Sequence, residues 1–131
     1  MEQDRLRVDI DTCKKAHDEV ICTFLVTNRR EAPIANFELT LTSNGSVVSY
    51  LIDNLGNQYP ATVLKLGSHV AENNAHHSTR LTLEPDLPVK GSLIASKVLR
   101  EVSNVSLSLV YFDGIGGGWH RITVRNVPLT D

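Results

Sequence analysis

The stretch best suited to chemistry is glycine-rich and reads FDGIGGGW, residues 112–119. Closely spaced glycines cradle phosphate groups when they join a strand to the N-terminus of a helix. The Walker form also needs a Lys and a Ser or Thr after the glycines, and the dinucleotide form needs Gly-x-Gly-x-x-Gly. Neither pattern is present, because Trp119 follows Gly118 directly and the next residues alternate as they do in a strand. We therefore predict a hairpin turn here.

The five histidines of the chain are candidates for metal ligands. Structural zinc sites use close-spaced pairs such as Cys-x-x-Cys or His-x-x-x-His, and neither spacing occurs in this chain. Residues 67–78 are polar and lack a strand pattern, which predicts a long exposed loop. The favoured interpretation is that the histidines of this loop are solvated. The alternative is a metal or small-ligand site that uses His69, His76 and His77.

Other chemical signals are weak. The stretch DNLGN, residues 53–57, shares a few features with calcium loops but lacks their Asp-x-Asp-x-Asp-Gly ladder and distal Glu. A turn is therefore the favoured interpretation of this stretch. No Gly-x-Ser-x-Gly elbow is present to carry a Ser nucleophile, and the carboxylates are scattered along the chain. The sequence predicts no enzyme, no catalytic residue and no cofactor.

Two cysteines, Cys13 and Cys22, leave two alternatives open. A hairpin centred between them would place them opposite each other, so a disulfide is geometrically possible. Two free thiols are favoured, because the charged start of the chain has no signal-peptide pattern and so gives no sign of an oxidising compartment. The chain is expected to be cytoplasmic if it is full length, and extracytoplasmic if a leader has been removed.

Strands must position all of these residues, because the dominant sequence pattern has period two. Such alternation predicts half-buried strands, and turn formers at close intervals predict an antiparallel all-β sandwich or barrel. One segment, residues 95–102, has helical spacing instead and predicts a short helix. The alternating runs are 5–11, 20–26, 37–42, 48–52, 80–84, 105–111 and 121–125.

Length and charge limit the classes of protein. A chain of 131 residues fits a single domain, spanning 1–131. The formal net charge is −2, without a block of Lys and Arg, which argues against nucleic-acid binding. No apolar run approaches the roughly 18 residues that a membrane helix requires, so no membrane span is predicted.

The register of the glycine-containing hairpin can be predicted from its apolar residues. If Phe112 pairs with Trp119, then Leu109 faces Ile122 and the inner faces of both strands match without a slip. Glycines supply the positive-φ positions of the turn and leave the aromatic pair uncovered. The outer face of the hairpin then carries Val110, Phe112, Trp119 and Arg121.

Two interpretations of this outer face are open. In the structural one, Phe112 and Trp119 form a cross-strand pair, Arg121 stacks over Trp119, and a neighbouring strand or loop covers the group. In the functional one, the same residues form a contact surface, because Trp and Arg dominate the energetics of protein interfaces.

Three short motifs resemble a known family. Residues 26–28 (VTN) end an apolar strand, residues 53–59 (DNLGNQY) resemble an Asp-x-x-Gly-x-x-Tyr hairpin, and residues 87–93 (LPVKGSL) resemble the entry to a late strand. In this order they resemble the immunoglobulin-like domains of unknown function in bacterial exported proteins and lipoproteins, which are related in fold to a small secreted immunogenic protein. The resemblance implies an immunoglobulin-like sandwich of two sheets and no known catalysis.

We therefore expect an all-β, immunoglobulin-like, two-sheet antiparallel sandwich of about seven or eight strands. The expected function is that of a non-enzymatic interaction or accessory module. It would bind a protein partner or a second copy of itself through a sheet face. A small-ligand or metal-binding protein that uses the histidines of residues 67–78 is the alternative.

Overall fold

The computed structural model describes residues 1–43, 47–72, 77–98, 101–114 and 118–130. Within these residues the chain forms thirteen strands and no helix. The strands are β1 (Glu2–Gln3), β2 (Leu6–Ala16), β3 (Glu19–Asn28), β4 (Ile34–Thr40), β5 (Thr42–Ser43), β6 (Val47–Val48), β7 (Tyr50–Asp53), β8 (Gln58–Leu66), β9 (His69–Glu72), β10 (Ser78–Leu83), β11 (Val89–Ala95), β12 (Asn104–Phe112) and β13 (His120–Thr130).

Seven of these strands close into a hydrogen-bonded barrel in the order β2, β3, β11, β8, β7, β12 and β13, with β13 returning to β2. Two strands change partners along their length. The start of β8, Gln58 to Pro60, pairs with β7, whereas Ala61 to Leu66 pair with β11. Most of β13 pairs with β12, but its end runs parallel to β2 at Leu129. Because β8 and β13 each belong to two sheets, the wall has no open edge at these positions.

The expected two-sheet immunoglobulin-like sandwich is therefore wrong, and so is the expectation of purely antiparallel pairing. An alternating sequence specifies which face of each strand is buried, and both a sandwich and a barrel require that alternation. Closure depends instead on where β8 and β13 change partners, and local sequence patterns carry no information about such long-range pairing. Strands outside the barrel extend its wall: β4 and β10 continue from β12, β9 from β8, and β1 from β2.

The barrel and its added strands enclose one apolar core. Its largest fully buried side chains are Tyr111, Phe24 and Phe37. The rings of Phe37 and Tyr111 stack with their centroids 5.8 Å apart, which joins β4 to β12. Burial of one such side chain stabilises a fold by about 1.5–3 kcal/mol, so the inward residues of the strands provide the main favourable contribution to folding.

The β12–β13 hairpin confirms the turn prediction for the glycine-rich stretch. Leu109 lies opposite Ile122, and the ladder continues to Tyr111 opposite His120. Gly114 has a φ of 80°, a backbone conformation that side chains other than glycine rarely adopt. Residues 115–117, the middle of the glycine run, lie outside the described residues.

The helix expected at residues 95–102 is wrong for the part of this segment that is described. Lys97 has a φ of 61°, which interrupts any right-handed helical turn. The amide of Val98 donates to the carbonyl of Asp18 over 2.7 Å, a partner on the β2–β3 turn. Val98 and Val102 are both buried, so the apolar spacing reflects two inward-facing side chains. Residues 99 and 100 lie outside the described residues.

Residues 67–78, predicted to be a long loop, contain a short strand. Here β9 pairs with β8, with Val70 opposite Lys65 and His69 opposite Leu66. Gly67 starts the turn between them with a φ of 60°. Residues 73–76 of this segment, including His76, lie outside the described residues.

A disulfide joins Cys13 and Cys22, so the favoured interpretation of two free thiols is wrong. The residues lie directly opposite each other on β2 and β3, with their Cα atoms 4.0 Å apart. Both are buried. The free-thiol expectation depended on the cellular compartment, whereas the hairpin geometry, which the sequence also predicted, brings the two side chains together.

Helices of the length and apolarity required to cross a bilayer are absent from the described residues.

Candidate binding site

The outer face of the β12–β13 hairpin carries an aromatic pair. The rings of Phe112 and Trp119 lie 5.4 Å apart between centroids, tilted by 55°. Trp119 is 37% exposed and Phe112 is half-buried. A tilted pair of this kind contributes about 0.5–1.5 kcal/mol beyond its buried area. The indole therefore packs on Phe112 and still presents a substantial apolar surface to solvent.

Arg121 lies beside this pair, and its cation–π contact is with Tyr50. The guanidinium carbon lies 4.9 Å from the centroid of the Tyr50 ring. Nη1 of Arg121 also donates to Oγ of Ser108 over 2.6 Å. The structural interpretation had expected Arg121 to cover Trp119. Contacts to Tyr50 and Ser108 instead hold the guanidinium over the middle of β12, on the side of Arg121 that is away from the hairpin loop.

Val110 was predicted to belong to the exposed surface, and this is wrong because its side chain is fully buried. It lies opposite Thr40 on one side and Arg121 on the other. Its amide also donates to Oγ of Ser49 over 2.9 Å. The sequence predicted that β12 pairs with β13, but it gave no signal for β4 on the opposite side. Thr40 and Ser49 beside it are buried as well, so Val110 is an interior position.

A buried ion pair fixes the base of the hairpin loop. Nη2 of Arg30 donates to Oδ2 of Asp113 over 2.7 Å, and the two side chains are only 16% and 4% exposed. Oδ1 of Asp113 lies 3.6 Å from Nε2 of His120. Nε of Arg30 also donates to the carbonyl of Asp4. These contacts hold Asp113 and His120, at the two ends of the loop, in place. The sequence did not predict them, because Arg30 and Asp113 lie far apart in the chain.

Tyr111 is buried beneath the same loop. Burial raises the pKa of its phenol above the usual value of 10.0, and the hydrogen bond from Nε2 of Gln3 to its oxygen, 3.2 Å long, partly opposes that rise. The ring also lies 5.3 Å from the ring of His120. Tyr111 is therefore a neutral phenol at neutral pH that connects β1 to the hairpin.

A cleft of about 710 Å³ opens between β9 and β10. His69 and His77, two of the three histidines of the predicted loop site, line it and are exposed. Arg80 and Glu38 form another part of its wall, with Nη2 of Arg80 3.4 Å from Oε2 of Glu38. The other lining residues are Ser68, Val70 and Ser78. Among the described residues, no group of three His, Cys, Asp or Glu side chains could hold a metal ion.

The cleft and the aromatic pair lie on the same face of one sheet. Arg80 is directly opposite Glu38 across β10 and β4, and Glu38 is directly opposite Phe112 across β4 and β12. Directly opposed residues of antiparallel strands point to the same face. A continuous row therefore leads from the cleft to the exposed Trp119.

The stretch at residues 53–57 forms a turn, as predicted. Oδ1 of Asp53 accepts hydrogen bonds from the amides of Leu55 and Asn57, at 2.8 and 2.9 Å. Nδ2 of Asn57 donates to Oδ2 over 3.0 Å. Asp53 is buried, and its oxygens are engaged by donors of its own turn. The Asp53 carboxylate therefore stabilises the turn by accepting hydrogen bonds from its amides and from Asn57.

Comparisons with known proteins give little further information. No protein-family model matches the chain, and no curated protein matches it. One solved structure with a similar chain trace is a family 123 glycoside hydrolase from Clostridium perfringens, described in terms of glycolipid glycan hydrolysis. The identity is 11% and the TM-score 0.46, over 96% of this chain and 28% of that one. The present chain thus spans less than a third of that protein, and a similarity of this size defines neither fold nor function. The resemblance to immunoglobulin-like domains of exported proteins stays a prediction.

Proposed function

We propose that the protein is a non-enzymatic interaction module that binds through the outer face of the β12–β13 hairpin. The observation that carries this proposal is the packing of Trp119, which rests on Phe112 and is still 37% exposed. Trp and Arg are the residues that most often dominate binding energies at protein interfaces. Arg121 supplies the charged group at this face, so the anchors are Phe112, Trp119 and Arg121.

The interactions of the two buried carboxylates, Asp53 and Asp113, support a role without catalysis. The carboxylate of Asp53 accepts hydrogen bonds from its own turn, and that of Asp113 is paired with Arg30. A general acid or base needs a pKa near the working pH and access to a substrate proton. Both carboxylates are buried and engaged, so they are suited to holding loops in place.

The sequence predicts either a different protein or a second copy of the chain as the partner. The outer face of the hairpin is better suited to a second copy. Its exposed centre is apolar, the indole of Trp119 packed on Phe112. In a two-fold symmetric dimer, each patch meets an identical patch, so the patch must be self-complementary. An apolar centre meets this requirement, because the two indoles can pack against each other at the two-fold axis.

Sedimentation velocity over a concentration series tests this proposal. Trp119→Ala should weaken self-association by at least about tenfold, because the truncation removes the central apolar contact. Leu87→Ala is the matched control, because Leu87 is an apolar side chain that is 60% exposed and lies outside the proposed face. Its affinity should stay within about twofold of the wild type.

Two results would overturn the proposal. One is a wild-type protein that stays monomeric across the whole concentration series. The other is an equal loss of association in Trp119→Ala and Leu87→Ala, which would mean that the contact is non-specific. Circular dichroism of both variants shows whether the strands are retained.

A further inference from the structure

We propose that the cleft between β9 and β10 is a binding site for an oxyanion, a carboxylate or a phosphate group. This inference concerns a different part of the sheet face and does not depend on self-association. It also differs from the metal site considered for the histidines, because it requires hydrogen-bond donors in place of metal ligands.

The lining of the cleft is dominated by groups that can donate hydrogen bonds. A guanidinium has five N–H donors, a hydroxyl has one, and an imidazole has one when neutral and two when charged. Among the described residues that line the cleft, Glu38 is the one with a carboxylate. Such a set suits a ligand with several acceptor oxygens, and charge-assisted bonds from Arg to an oxyanion are among the strongest hydrogen bonds. The available donors are Ser68, His69, His77 and Arg80, because the hydroxyl of Ser78 already donates to Oγ1 of Thr40 over 2.9 Å.

Glu38 acts as a positioning residue for Arg80. Its side chain is only 13% exposed, whereas that of Arg80 is 66% exposed. The contact between them uses Nη2 of Arg80, at 3.4 Å from Oε2 of Glu38. The guanidinium is thereby tethered at one nitrogen to a carboxylate held between β10 and β12. Its other N–H groups are available to a ligand in the cleft.

The fixed charges around the cleft cancel. The charged groups on the four surrounding strands are Glu38 on β4, Lys65 on β8, Glu72 on β9 and Arg80 on β10, and they sum to zero. Anion binding in the cleft therefore depends on local donors, above all on the guanidinium of Arg80.

Titrations followed by NMR of the imidazole C–H signals test the site. Inorganic phosphate and succinate are added in separate experiments at constant ionic strength, with chloride as the reference anion. Saturable shifts of the His69 and His77 signals are expected with at least one of the two anions, and the comparison shows whether phosphate or carboxylate is preferred.

Arg80→Gln should weaken anion binding by about tenfold or more, because it removes the charged donor and keeps a polar side chain. Arg125→Gln is the matched control, since Arg125 is exposed on β13 and does not line the cleft. Trp119→Ala should also bind the anion normally, which separates this site from the self-association face. The proposal is overturned by shifts that chloride reproduces, by the absence of saturation with both anions, or by equal effects of Arg80→Gln and Arg125→Gln.

Discussion

The hydroxyl of Tyr59 donates a hydrogen bond to Oδ2 of Asp53 over 2.6 Å, and this contact is buried between β7 and β8. Burial alone would raise the pKa of Asp53. The bond from Tyr59, those from the amide and side chain of Asn57, and that from the amide of Leu55 outweigh burial and lower the pKa to about 2, against an ordinary value of 3.8. The turn therefore has an ionised carboxylate at its centre down to strongly acidic pH.

Asp53 should make the fold sensitive to acid. Its pKa is lower in the folded than in the unfolded state, so its contribution to stability is fully present above pH 3.8 and is lost as the pH falls towards 2. The size of this contribution is about 2 kcal/mol. Urea unfolding of Asp53→Asn should show a flatter pH dependence in this window. Asp86→Asn is the control, because the Asp86 side chain is 69% exposed, and it should keep the wild-type slope. An unchanged slope in Asp53→Asn would contradict the assignment.

Gly91 should not tolerate a side chain. A Cβ at this position would lie 2.5 Å from Cε1 of Phe24 and 2.9 Å from the carbonyl oxygen of Lys65. Overpacking of a filled core costs about 1–3 kcal/mol, so Gly91→Ala should lower the free energy of unfolding by that amount. Gly118→Ala is the matched control, because no atom of the described residues lies within 4 Å of a Cβ there. Thermal unfolding of both variants measures the difference. Equal melting temperatures would show that the Phe24 ring does not occupy the space above Gly91.

The Cys13–Cys22 disulfide should stabilise the barrel where β13 approaches β2. Their separation of 9 residues gives a small loop, and the chain-entropy contribution of such a cross-link is about 2–3 kcal/mol. The variant Cys13→Ala with Cys22→Ala should lose this amount in urea unfolding. A thiol-reactive maleimide should label neither cysteine of the denatured wild type before reduction, and both after reduction. Labelling of both cysteines without reductant would contradict the bond.

The sequence predicted the features of the fold that local pattern determines. Alternation placed the strands, and the apolar match of Leu109 with Ile122 gave the register of the last hairpin. Closure of the barrel was not predictable, because it depends on Pro60 and Ala61 pairing with different neighbours and on Leu129 reaching Cys13. Neither change of strand partner alters the alternation of apolar and polar residues in the sequence around it.

The candidate site was predicted only in part, for the same physical reason. The ring contact between Phe112 and Trp119 follows from the register of one hairpin. The burial of Val110 depends on β4, and the cation–π contact of Arg121 depends on Tyr50 of β7. Both strands reach β12 through pairing that is distant in sequence. Local patterns thus identify which residues share a face, while long-range pairing decides which of them remain exposed.

The ion pair between Arg30 and Asp113 should be important for stability, because its carboxylate is almost fully buried. Arg30→Met keeps the length of the side chain and leaves Asp113 without its close cationic partner. Removal of one member of a buried pair costs about 3 kcal/mol, since the remaining charge stays buried without that partner. Asp113→Asn also alters the contact with His120, so the two single variants need not be equal.

A double-mutant cycle isolates the coupling between the two side chains. Arg30→Met combined with Asp113→Asn should be more stable than the sum of the single losses predicts, because the buried negative charge is then removed together with its cationic partner. Urea unfolding of the wild type, both single variants and the double variant provides the four free energies. The expected coupling is about 1–3 kcal/mol. A coupling near zero would mean that Arg30 stabilises the loop through its bond to the Asp4 carbonyl, not through its charge.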